Sequence, residues 1–319
     1  MSGITFDYKY CLHGSYRTLQ YTTYANINEY CRKKPRSMSY RHNEAPPRDV
    51  DFLLIYMNDD VQKKYLDPLV EQIRSITPNR DDQLRIAVSL VQHIDYDMDG
   101  VINDTITNKY PYEVLYTRSG VCEEKSRLLC YLARGLGYGC VLFRYPVDNH
   151  AAVGIKCPKA YRYLDFDYCF VESTTPTIMT DCAGEHVGSG KLTTRPRALL
   201  ISQGLSFNSV VDEYNDAVEY NKIVSKGQAN GKALYQNDYD KWTALNRKYG
   251  IQPVKQSNQQ SVVNRSKIIS QPAPSTRAPI NNQQDKTIQI NFSELARTAS
   301  NNIANASNTI AKYLRKIKK

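Results

Sequence analysis

Three side chains in the middle of the chain have the types and order that nucleophilic acyl chemistry requires. They are Cys122 in "SGVCEEKS", His150 in "VDNHAAVGI" and Glu172 in "YCFVESTTPT". A cysteine nucleophile needs a raised thiolate fraction, an imidazole within hydrogen-bond reach and a third group that orients the ring. Cys122 follows a Gly-Val turn and opens a helical pattern, where unpaired N–H groups and the helix dipole favour negative charge. Cys130 falls in the middle of the same pattern and reads as core. Glu123 and Glu124 suit the dipole but oppose a thiolate, so a nearby imidazolium must outweigh them. His150 starts a strand-like run after a polar turn, and alone it reads equally as a satisfied histidine at a strand start. Glu172 closes an apolar strand, where a single carboxylate is as readily a capped end or a surface charge. The order of helix-start cysteine, strand-start histidine and next-strand carboxylate carries more than any one of them. Among the other histidines, His186 sits in the glycine-rich "AGEHVGSG" and reads as an exposed loop residue or as cover for the cleft. His13 and His42 have no partner pattern.

The elements around these residues give an α+β pattern. The first 40 or so residues alternate tyrosines with polar positions and predict strands. Apolar positions at three- and four-residue spacing over 60–94 predict two helices broken near "ITPNRD". "DYDMDGVIND" has half the acids of a calcium loop but lacks its final glutamate and reads as a polar loop. The Cys122 helix ends near Gly135 or Gly137. Short strand-like runs follow in "CVLFRYPV", "HAAVGIKC" and "YRYLDFDYCFVEST", an antiparallel meander rather than a doubly wound sheet. Residues 208–226 and 237–249 predict a helical hairpin packed on the body. Residues 251–286 are rich in Gln, Asn, Ser and Pro and predict a disordered linker. Over 287–319 apolar positions recur at heptad-like spacing, with Asn291 and Glu294 placed as a capping box and "KYLRKIKK" at the end. The expected layout is therefore a catalytic body over 1–205 with its core at 84–180, a hairpin over 206–250, the linker, and a basic amphipathic helix over 287–319.

Composition bounds the function. The chain has 319 residues, 41% hydrophobic and 23% charged, enough for a full core. Its +10 net charge lies almost wholly in residues 251–319, which hold eleven Lys or Arg against two Asp or Glu. The body is nearly neutral and the tail is basic, so an anionic surface, a partner helix or self-association is expected at the tail. No base-reading motif points to nucleic acid. The eight cysteines contain no CxxC pair and no zinc-finger spacing, so no metal and no cofactor are expected. No signal peptide or membrane-spanning run is visible, which makes a cytoplasmic or virion-associated address the default.

The run "YPYEVLYTRSGVCEEKSRLLCYLARGLGYGCVLF", then "HAAVGI", then "YCFVESTTPT", resembles the transglutaminase-like superfamily, in particular its archaeal and bacterial cysteine peptidase branch. The likeness covers about residues 87–177. It implies a papain-like core with Cys122 as nucleophile, His150 as general base and then acid, and Glu172 in the place usually held by Asp. It also implies an oxyanion hole made by the Cys122 backbone N–H and a side-chain donor from an earlier segment. Gln92 is the candidate for that donor, with His93 or Tyr96 behind it.

Such an enzyme forms a thioester, and the acceptor decides its class. Water makes it a peptidase or amidase acting on protein or peptide, and an amine makes it a transglutaminase. Hydrolysis is the expected outcome, since nothing resembles the additional domains of animal crosslinking enzymes. The alternative of another class is a non-catalytic module of the same fold that acts through its C-terminal helix.

Overall fold

The computed structural model describes residues 2–184, 186–187, 190–231 and 233–251, and the backbone of 287–289. The tyrosine alternation forms β1 (Gly3–Leu12) and β2 (Ser15–Tyr24), an antiparallel hairpin. His13 and Gly14 both take positive φ, 48° and 78°, the two-residue turn that matches strand twist. Tyr8, Tyr10 and Leu19 face inward, and the Tyr8 hydroxyl donates to Leu115 O at 2.8 Å. The strand pattern stops earlier than expected: residues 25–32 form α1 (Ala25–Arg32), which buries Ile27 and Cys31, one helical turn apart. The unperiodic "DVDFLLIYM" becomes α2 (Asp49–Met57), with the Arg48 backbone N–H bound to Asp51 at its first turn.

The two expected helices are α3 (Asp60–Ile76) and α4 (Arg80–Gln92). Asp59 and Asn79 cap them by accepting backbone N–H groups, each cap stabilising by about 1 kcal/mol. The "DYDMDGVIND" stretch is more ordered than a polar loop. It holds β3 (Asp95–Tyr96) and α5 (Met98–Ile102), and Asp97 accepts from Gly100 N and from Lys109 Nζ. Next come α6 (Pro111–Thr117) and β4 (Ser119–Gly120), the latter pairing in parallel with β3.

Helix α7 (Cys122–Gly135) is the central helix, buried at every position from Glu124 to Ala133. It packs on an antiparallel four-stranded sheet in the order β7 (Tyr168–Val171), β6 (His150–Lys156), β5 (Cys140–Tyr145), β8 (Arg197–Ser202). Leu142, Ala151 and Val153 join the core around α7, whereas Val141, Phe143, Tyr145, Ala152 and Phe170 form a second cluster. The strands are thus buried on both sides, which explains their nearly continuous apolar sequence.

Beyond the sheet, α8 (Val211–Ala229), β9 (Ala233–Tyr235) and α9 (Gln236–Tyr249) gather around Ile223, Leu234, Trp242 and Leu245. Arg85 on α4 pairs with Glu213, and Gly14 N donates to Lys248 O at 3.0 Å. A short strand β10 (Thr287–Gln289) runs antiparallel to β9 at the point where the C-terminal helix was expected to begin. The remainder of the expected linker and amphipathic helix lies outside the described residues. Among those described, no helix is long and apolar enough to cross a membrane.

Candidate active site

The parallel bridge between β3 and β4 sets Tyr96 opposite Gly120, two residues before Cys122. Asp97 N donates to Gly120 O, which fixes this crossing. A Cβ on Gly120 would lie 3.3 Å from Glu124, Lys125 and Val114, so a side chain there would crowd the start of α7. Glu124 is fully buried and closes the helix start: its carboxylate accepts from Val121 N at 3.0 Å and Lys109 N at 2.7 Å. The half-buried Cys122 therefore begins a helix held rigidly at its first turn.

His150 and Glu172 meet beside it. Asn149, at φ 49°, ends the turn after β5 and delivers His150 to the first position of β6, with Tyr145 as its cross-strand partner. Its Nε2 lies 2.9 Å from Glu172 Oε2, and the ring also hydrogen-bonds the Cys122 side chain. Nε2 being taken, Nδ1 is the nitrogen left for the thiol. Burial opposes a charged ring here, but the Glu172 charge and the hydrogen bonds to Cys122 and Glu172 outweigh it and push His150 up to about 10. Burial likewise opposes ionised Glu172, yet His150 and His186 hold that carboxyl well below the usual range. Its Oε1 accepts from Ser173 N, Thr174 N and Thr174 Oγ1, each at 2.8 Å.

His186 is not the exposed loop residue that its glycine-rich surroundings predict. It is buried, and its Nδ1 donates to Glu172 Oε2 at 2.6 Å, with its ring centre 5.1 Å from that of His150. The sequence allowed His186 as cover for the cleft but not its contact with Glu172, because a tertiary crossing makes it. One ligand atom from each of His150, Glu172 and His186 lies within 4.8 Å of the others. This is a donor set a transition metal could use, at the cost of the hydrogen bonds that Glu172 already accepts.

Gln92, the expected oxyanion donor, is committed elsewhere. Its amide donates to Glu172 O at 2.9 Å and to Thr177 O at 3.2 Å, so it braces the end of β7. His93 is likewise turned away, its Nδ1 facing Ser89 O at 2.7 Å. Tyr96 is the one of the three that reaches Cys122. Burial and the charges at Cys122 and Glu172 push its phenol up, and its oxygen accepts a hydrogen bond from the Cys122 backbone N–H. Beneath the site lies Lys125, wholly buried and unremarked in the sequence. It donates to Ile94 O, to Thr174 O at 2.7 Å and to Gln92 O at 3.5 Å, and burial pushes it down to about 7. Ser126 bonds Ser173 at 2.9 Å, tying α7 to the segment after β7.

The two acids after Cys122 are both engaged by other groups. Glu124 is spent on backbone N–H groups. Glu123 accepts from Arg127 at 2.7 Å and Arg144 at 2.6 Å, and these guanidiniums overcome burial and hold its carboxyl below the usual range. The trio of Glu123, Arg127 and Arg144 carries a net positive charge.

Neither curated proteins nor solved structures yield a match. Residues 67–168 match the family model described as the transglutaminase-like superfamily. That span contains Cys122 and His150 and stops four residues before Glu172. The chain thus carries a transglutaminase-like superfamily domain over residues 67–168.

Proposed function

We propose that this protein is a thiol-dependent acyl-transfer enzyme, a peptidase or amidase with a papain-like catalytic arrangement. The observation that carries this reading is the single buried imidazole joining Glu172 to the Cys122 side chain at a helix start. The Cys122 sulfur attacks the carbonyl carbon of an amide, and the oxyanion that forms displaces the Tyr96 oxygen from the Cys122 N–H and is held by that N–H and the Tyr96 hydroxyl. The His150 imidazolium passes its proton to the departing amine as the C–N bond breaks, leaving a thioester. Neutral His150 then takes a proton from water, the hydroxide adds to the thioester carbon, and Cys122 leaves as the thiolate as the C–S bond breaks, restoring the pair with the His150 imidazolium. Glu172 stays ionised throughout, orienting the ring and stabilising its charged form.

The acceptor separates hydrolysis from crosslinking, and it is governed by access to the thioester rather than by the triad. Incubation of a casein digest with a labelled primary amine tests the choice. Hydrolysis predicts new N-termini and no amine incorporation. Label appearing on glutamine side chains, absent with Cys122→Ala, would assign a transglutaminase instead. The basic tail adds a proposed partner, an anionic surface or a second helix, independent of the chemistry.

A further inference from the structure

We propose that His186 is a positioning residue of this site, a second imidazole that holds Glu172 against His150; the proposal rests on the acyl-transfer reading above. A glutamate has one more rotatable bond than an aspartate, so the group that orients His150 has an extra torsion to lose. The structure restrains that torsion from both sides. Oε1 is held by the Ser173 and Thr174 backbone and the Thr174 hydroxyl. Oε2 is shared by His150 at 2.9 Å and His186 at 2.6 Å. Without His186, Oε2 would have His150 as its only hydrogen-bond partner among the described residues. Each change in His150 protonation during turnover would then leave that oxygen free to swing.

His186 is itself fixed in place. It is 4% exposed, its ring centre is 5.5 Å from that of Phe170 at 65°, and its backbone exchanges hydrogen bonds with Gly190 at 2.8 and 3.0 Å. Its ring also packs 5.1 Å from His150, so it keeps water from the His150–Glu172 contact. A buried carboxylate shared by two imidazoles is a stronger anchor than one facing solvent on its second side. Nothing in the family match assigns this residue, which lies eighteen positions past its end.

The test uses the full chain and needs no substrate: the rate at which iodoacetamide alkylates Cys122 at pH 6, followed by peptide mass. Three variants distinguish donor from bulk. His186→Asn keeps an N–H near the Nδ1 position, His186→Gln moves it one bond farther out, and His186→Leu removes it. The wild type and His186→Asn should agree within about threefold, whereas His186→Gln and His186→Leu should fall by about tenfold, the cost of losing a hydrogen bond to a charged group. Rescue by Asn at matched melting temperature is an effect that packing alone would not produce. If Leu does not fold, Asn against Gln makes the same comparison. A fast wild type with equally fast Gln and Leu variants, or an Asn variant no better than Gln, overturns the role of His186 and leaves the triad standing. A wild-type Cys122 no faster than the other cysteines overturns the triad and this proposal together.

Discussion

Glu172 sets the charge state of His150. Replacing it with Gln removes the charge that offsets burial, so His150 should fall from about 10 to its ordinary value near 6.5 or below. An NMR titration of the His150 ring in Glu172→Gln measures this directly, and an unchanged midpoint would show that another group supports the imidazolium. The same raised value links to stability. The folded chain holds a proton that the unfolded chain releases near 6.5, so this stabilisation is full below that pH and is lost as pH rises through about 10. Tyr96 has the other testable role: Tyr96→Phe should lower kcat by about a hundredfold with little change in KM, as expected for a donor used only when the oxyanion forms. Wild-type kcat in Tyr96→Phe together with a loss of kcat in Gln92→Ala would return the role to Gln92. At this scale Cys122, His150 and Glu172, the residues proposed to act together, stood out in the sequence because each opens or closes an element. Tyr96 and His186 did so less. Tyr96 is placed by the bridge between residues 95–96 and 119–120, and His186 by a loop that crosses the sheet, neither of which has a local period.

Helix α7 works because its surroundings are fixed. Lys125 spends its N–H groups on carbonyls of Gln92, Ile94 and Thr174, joining the end of α4 to the segment after β7 directly below Cys122. Lys125→Met keeps the length and removes those donors, leaving buried carbonyls unpaired. The expected cost is about 3 kcal/mol in a urea melt, with slower Cys122 alkylation at temperatures where the fold survives. Stability within about 0.5 kcal/mol of wild type would mean that water replaces the ammonium. The long helices α3, α4 and α7 were legible because caps and helical period agree within each of them. Helices α1, α2 and α6 are seven to nine residues long, too short for a period to stand out, and "FLLIYM" is apolar without any period. Strand β8 is an edge strand, half exposed, and its apolar run Ala198–Ile201 shows no alternation that would tell a strand from the start of a helix.

Across the whole molecule the charge is divided between a nearly neutral body and a basic tail. That division was fully legible, because it depends on composition alone. Removing residues 252–319 should leave the rate of Cys122 alkylation within about twofold while abolishing salt-sensitive binding to vesicles containing phosphatidylserine. Loss of reactivity in the truncated chain would make the tail part of the site rather than a tether. In the proposed enzyme the fold brings one thiol, one imidazole and one carboxylate together to make a nucleophile. The most direct measurement is the iodoacetamide rate of Cys122 at pH 6 relative to Cys182, the other half-buried thiol, in wild type and in His150→Ala. Cys122 should react roughly a hundredfold faster, and His150→Ala should remove most of this advantage; equal rates for the two thiols, or an advantage that survives His150→Ala, would rule out the paired nucleophile.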